Sequence, residues 1–142
     1  MIPTHALDAA LTSGDLAAMV DAIVELAREC GERELLVQGD RRATGAKLAD
    51  QIERTAHAFS RRGMRPGDVI LFGVRPGIDA LVLLMAAMRN GAVVTVFDAG
   101  AGNELFARRL ELLRPSWIVS ESLLYAASAR TPPSIYPRRA GL

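Results

Sequence analysis

Apolar side chains recur at three- and four-residue steps through Leu16, Met19, Val20, Ile23, Ala27 and Cys30, with Asp15, Asp21, Glu25 and Arg28 between them. That spacing predicts an amphipathic helix, opened near Ser13 and closed by Gly31. Leu35–Gln38 reads as a strand, Gly39-Asp40-Arg41 as a tight turn, and Arg42-Ala43 as the short return strand of a hairpin. Thr44 then offers its hydroxyl as the N-cap of a second helix. Leu48, Ile52, Ala56 and Phe59 share one face of that helix, Lys47, Asp50, Glu53, Arg54 and Arg61 lie largely on the others, and Gly63 stops it.

After the turn Arg65-Pro66-Gly67-Asp68 the pattern loses its alternation. VILFGV, Val69 to Val74, is an almost continuous apolar run of strand length, which suits a parallel strand covered on both faces. Gly77 to Asn90 is apolar on nearly every side and predicts a deeply packed helix ended by Gly91. VVTVF, Val93 to Phe97, predicts another buried strand. The loop DAGAG leads into a helix carrying Leu105, Phe106, Leu110 and Leu113, ended by Pro115, and Trp117-Ile118-Val119 predicts a third core strand. Strands alternating with helices imply right-handed crossovers, so the expected fold class is α/β with a mainly parallel sheet and flanking helices. The expected organisation is an N-terminal extension over 1–14, an α/β subdomain over 15–128, and a Pro- and Arg-containing segment over 129–142, either a solvated linker or a basic interaction segment.

Composition narrows the class without naming a function. At 142 residues and 50% hydrophobic, the chain is one domain's worth of globular sequence. Lys and Arg number 17 against 16 Asp and Glu, and no basic stripe is interleaved with aromatics, so no nucleic-acid partner is expected. The longest apolar region, Ile78 to Phe97, is broken by Arg89-Asn90-Gly91, which argues against a membrane span. One cysteine, Cys30, at a position where a helix would bury a small residue, and an N-terminus without a basic-then-apolar leader pattern point to the cytoplasm.

Catalytic chemistry is scarce. His5 lies near the start of the chain, and His57 sits mid-helix beside the apolar face, where a partly exposed structural histidine is the expected role. One cysteine and two scattered histidines make no metal-ligand cluster. Ser116, Ser120 and Ser122 lack a G-x-S-x-G context. The stretch DAGAGN, Asp98 to Asn103, has the strand–glycine–helix setting of a phosphate loop, but Leu105 stands where a dinucleotide fingerprint needs its third glycine. No Gly-Lys-Ser/Thr follows, and Asp98 and Glu104 flank the loop with negative charge, so turn geometry is its expected role. The catalytic, cofactor-binding and metal-ligand sets are all expected to be empty.

The ordered phrases GDRRATGAKL, AFSRRGMRPGDVI and MRNGAVV resemble the N-terminal segment of the adenylate-forming superfamily, which includes acyl-CoA synthetases, adenylation domains of peptide synthetases and luciferases. Gly39, Asp40, Thr44, Leu48, Phe59, Gly63, Gly67, Asp68, Ile70, Arg89, Gly91 and Ala92 carry the match, over about Leu35 to Val119. Their expected roles are structural: Gly63 ends a helix, Pro66-Gly67 turns the chain, Asp68 satisfies donors in that turn, and Gly91 permits a sharp helix-to-strand reversal. Val96-Phe97-Asp98-Ala99 departs from the family's Pro-x-Asp-Pro, and the glycines after it look more like a branch containing long-chain acyl ligases and β-lactone-forming synthetases.

The resemblance implies an incomplete acyl-CoA synthetase-like fold and a parent reaction of carboxylate plus ATP to acyl-adenylate, with Mg and coenzyme A as further participants. In that family the Ser/Thr- and Gly-rich loop that grips ATP lies downstream of this segment, and no run such as TSGTTG occurs among these residues. The expected partner is the remainder of such a ligase, or a second copy through the incomplete sheet.

Overall fold

The computed structural model describes residues 4–98 and 102–120. The elements run α1 (Thr4–Ser13), α2 (Leu16–Glu29), β1 (Glu34–Gln38), β2 (Arg41–Thr44), α3 (Gly45–Arg61), β3 (Val69–Gly73), α4 (Ile78–Arg89), β4 (Val93–Val96), α5 (Asn103–Leu113) and β5 (Trp117–Ser120). They fall into two compact units, the first comprising residues up to Pro66 with Pro76–Gly91, the second Gly67–Arg75 with the residues from Ala92 onward.

The first unit is a helical layer carrying a hairpin. Val20, Val24 and Ala27 of α2 meet Leu48, Ala49 and Ile52 of α3 and Val82 of α4, with Leu36, Met85 and Met88 packed against them. Each fully buried aliphatic side chain of this kind stabilises by roughly 1.5–3 kcal/mol. The predicted face of α3 is correct throughout, since Leu48, Ile52, Ala56 and Phe59 are all buried. Thr44 caps α3 by accepting the Lys47 N–H at 3.3 Å. Helix α2 opens one turn boundary later than predicted: Asp15, rather than Ser13, accepts the Ala17 and Ala18 N–H groups at 3.0 and 3.1 Å. A carboxylate at that position also faces the positive end of the helix dipole. Ahead of it, the stretch expected as an extension carries helix α1, which includes His5.

Two glycines in this unit are required by their surroundings. Gly91 has φ +75, and a Cβ there would come within 3.1 Å of Pro66, so the reversal after α4 admits no side chain. At Gly45, the first residue of α3, a Cβ would run into the Ala27 carbonyl and come within 2.8 Å of the Cys30 Cβ, so the helix start is pressed onto the end of α2. Cys30 is half-buried at that junction as the C-cap of α2.

The second unit is a parallel sheet in the order β4-β3-β5 among the described residues. Leu71 of the central strand pairs with Thr95 on one side and Ile118 on the other. Ile70, Leu71, Phe72 and Gly73 are buried in succession, so both faces of β3 are covered, as its unbroken apolar run predicts. Strand β5 buries Trp117 and Val119. The expectation of a buried β4 is overturned. Val93 is 54% and Val96 64% exposed, because among the described residues β4 lies at the sheet edge with one hydrogen-bonded neighbour and side chains that face outward at both ends. Helix α5 likewise buries only Leu110 of its apolar set, and Leu105 is exposed.

Candidate functional site

Asp68, in the turn Gly67-Asp68, reaches beyond its own backbone: its Oδ2 accepts the indole N–H of Trp117 at 2.8 Å, tying the entry of β3 to the start of β5. Trp117 is 2% exposed, so this charge-assisted bond satisfies a donor that burial would otherwise leave unpaired. Asp68 also positions β4, since its carbonyl accepts the Val93 N–H at 2.8 Å. A gap of 49 positions between Asp68 and Trp117 leaves no local signal for the pair.

Of the loop DAGAGN, residues 99–101 lie outside the described residues. Gly102 caps α5 with φ 85 and no side-chain hydrogen bond, and Glu104 stands in the first turn. Before the loop, Phe97 meets Phe106 edge-on at 4.7 Å between ring centroids, and the Arg109 guanidinium lies 5.9 Å from the Phe97 centroid while donating to the Val96 carbonyl at 3.2 Å. Arg109 therefore holds the end of β4 against α5.

In the first unit the hairpin grips the start of α4. Gln38 Oε1 accepts the Ile78 N–H at 2.9 Å, and Arg41 forms a two-pronged pair with Asp79 at 2.7 Å for each prong. The Arg41 guanidinium holds the Asp79 carboxyl below its usual range, chiefly by hydrogen bonding, and Asp79 raises Arg41 in return. Beside this clamp lies a cavity of about 130 Å³ lined by Arg41, Arg42, Ala43, Lys47, Gln51 and Ile78. Across the helices, Arg28 pairs with Glu25 and Glu53, and Arg89 with Asp21 and Glu53. Hydrogen bonding from Arg28 is the main cause that holds the Glu53 carboxyl below its ordinary value.

The remaining sequence candidates do not converge. His57 is exposed on α3 rather than partly covered. Ser116 uses its backbone N–H on the Val69 carbonyl, Ser120 ends β5, and Ser122 lies outside the described residues, as does the segment 129–142. Among the described residues, no group of three or more His, Cys, Asp or Glu side chains is placed to hold a metal ion, and no helix is long and apolar enough to cross a membrane.

The hairpin, the capped helix, the Gly67-Asp68 turn and the Arg89–Ala92 reversal thus stand in the order that the motif phrases predict. A family model described as AMP-binding enzyme matches residues 23–136. The chain belongs to the AMP-binding enzyme family. It is 28% identical over 99 residues to a medium/long-chain fatty-acid–CoA ligase, FadD6, of Mycobacterium tuberculosis, a match covering 70% of this chain and 17% of that protein. It is 27% identical over 110 residues to an acetyl-coenzyme A synthetase of Vibrio cholerae, covering 68% of this chain and again 17% of the relative. Among solved structures, the N-terminal subdomain of Klebsiella oxytoca NpsA superposes with a TM-score of 0.68 at 18% identity, covering 73% of this chain and 27% of that one. The chain therefore spans about one sixth of the length of the curated AMP-binding relatives it matches, and its fold is that of an adenylation-enzyme N-terminal subdomain.

Proposed function

We propose that this chain is the N-terminal part of an AMP-forming acid ligase, whose complete form activates a carboxylate with ATP to an acyl-adenylate and passes the acyl group on, as a rule to coenzyme A. The observation that carries this reading is the family match over residues 23–136 combined with relatives that are CoA-forming ligases and of which the chain covers one sixth. The mycobacterial relative, named for medium and long-chain fatty acids, favours a fatty acid as the carboxylate, and the need for ATP and coenzyme A favours the cytoplasm.

In this reading the described residues act as scaffold. Adenylation rests on stabilising charge at the α-phosphate and on metal-assisted departure of pyrophosphate. Among the described residues no group of three or more His, Cys, Asp or Glu side chains is placed to hold a metal ion, and no catalytic step is assigned to these side chains. The test is carboxylate-dependent ATP–pyrophosphate exchange by the 142-residue chain, with a panel from acetate to palmitate. No exchange above blank is expected, and exchange that follows the carboxylate would place the catalytic groups within this chain.

A second reading, a non-catalytic assembly module on the same fold, is favoured by the exposed edge of β4 with Val93 and Val96. Transcript sequencing beyond the codon for Leu142 separates the two. An in-frame Ser/Thr- and Gly-rich loop supports the ligase, whereas an in-frame stop supports the module.

A further inference from the structure

The hairpin of β1 and β2 forms its own two-stranded sheet, separate from the parallel one, and a two-stranded ribbon by itself is marginal in water. Its apolar residues do little to seat it. Leu35 and Val37 stand 38% and 62% exposed, Leu36 is half-buried against the helix core, and Ala43 alone among the hairpin residues is fully covered. Between hairpin and helices lies the cavity of about 130 Å³, with Arg41, Arg42 and Ala43 on one side and Lys47, Gln51 and Ile78 on the other. This seam is underpacked, since interiors of ordinary density leave few voids larger than a water molecule.

The hairpin is instead held at its two ends. At the base, the Gly45 N–H donates to the Arg33 carbonyl at 3.0 Å and the Ala46 N–H to the Gly31 carbonyl at 2.8 Å. Gly31 itself has φ +53 and open space around it. At the tip the bonds come from side chains: Gln38 Oε1 accepts the Ile78 N–H, and Arg41 grips Asp79 with two prongs. Gly77, the residue before α4, has no side chain with which to cap the helix, so Gln38 supplies the cap from 40 positions away. The fit is close, because a Cβ on Gly77 would run into the Gln38 amide. Arg41 and Asp79 are 54% and 66% exposed at their side chains, so water and salt reach the pair freely. A base fixed by backbone bonds, a tip fastened by side chains and a loose seam between them make the geometry of a hinged flap.

We propose that the β1–β2 hairpin is a strap that opens and closes as one unit on its base, with Gln38 and Arg41 as its clasp on α4. Closed, it caps the first turn of α4. Open, it frees the Ile78 N–H, parts Arg41 from Asp79 and admits water to the seam, while α2 and α3 stay folded. The strap is independent of the ligase reading.

The experiment is amide hydrogen exchange followed by NMR on the 142-residue chain, at low salt and at about 1 M sodium chloride. The Ile78 amide and the cross-strand amides of β1 and β2 should share one level of protection, about tenfold below that of Ile52 and Ala56 in α3. Arg41→Gln should speed exchange about threefold at Ile78, an amide that Arg41 does not bond, and equally in the hairpin. Gln38→Leu should speed the β2 amides about fivefold. High salt should reproduce the Arg41→Gln change in the unmodified chain and add nothing to the variant, and exchange in α3 should stay unchanged throughout. Hairpin amides as protected as those of α3, no response at Ile78 to Arg41→Gln, an effect of Gln38→Leu confined to Ile78, or acceleration in α3 equal to that in the hairpin would each overturn the proposal.

Discussion

Phe59 and Ile52 of the hairpin–helix unit are 1% exposed, while Val96 and Leu112 of the sheet unit stand 64% and 82% exposed. Both units use amphipathic or apolar patterns of similar strength, and each leaves part of its apolar surface out: Leu16 and Val37 stand 52% and 62% exposed in the first, Val93 and Val96 54% and 64% in the second. Helices α2, α3 and α4 each turn apolar residues inward, and the Arg28–Glu53–Arg89–Asp21 ion pairs lie across their outer rim. The sheet unit has a central strand that needs cover on both faces and flanking elements that retain apolar surface outside. Helix stripes close on one another locally, whereas a parallel strand depends on whatever is placed beside it.

The sharpest way to break that contrast is to empty each unit in turn. Phe59→Ala should cost about 3–5 kcal/mol in urea denaturation, because it leaves a cavity in a closed core. Leu112→Ala should stay within about 0.5 kcal/mol, since its side chain already faces solvent. Comparable losses in the two variants would refute the assignment of Phe59 to a packed core and of Leu112 to the surface.

A smaller effect tests what holds the sheet unit together. Asp68→Ala strands the buried Trp117 N–H and should cost about 1.5–3 kcal/mol. The chain has one tryptophan, so its fluorescence reports the site directly. An unchanged emission spectrum and midpoint would mean that the bond contributes nothing.

The smallest effect concerns the ion-pair rim. Glu53 is 39% exposed at its side chain, so Glu53→Gln should cost under about 1 kcal/mol at pH 7, and less in high salt. Because the folded-state carboxyl titrates below its ordinary 4.5, its contribution is present above that pH and is lost as the pH falls through the lowered folded value. Parent and variant melting temperatures should therefore converge in acid. A gap that persists or widens there would assign the effect to packing instead.

Most of the fold is legible in the residues themselves. The face of α3, the Thr44 cap, the hairpin turn, the buried run of β3 and the reversal at Gly91 all follow from local spacing and backbone preference. β4 misled because VVTVF has the same apolar character as VILFG, and periodicity carries no information about how many neighbours a strand will have. Helix α2 shifted its start because Ser13 and Asp15 are both good caps, and only packing selects between them. The phosphate-like setting of DAGAGN rests on its glycines, and of these Gly102 serves as the cap of α5.

The sequence by itself determined the α/β class and the family, because period, turn chemistry and ordered motif phrases are local properties. Tertiary structure decided which apolar surfaces are hidden and that Asp68 reaches Trp117 across the sheet. Those outcomes depend on distances between residues far apart in the chain or on separate elements, and burial and hydrogen-bond pairing are set only when the elements pack.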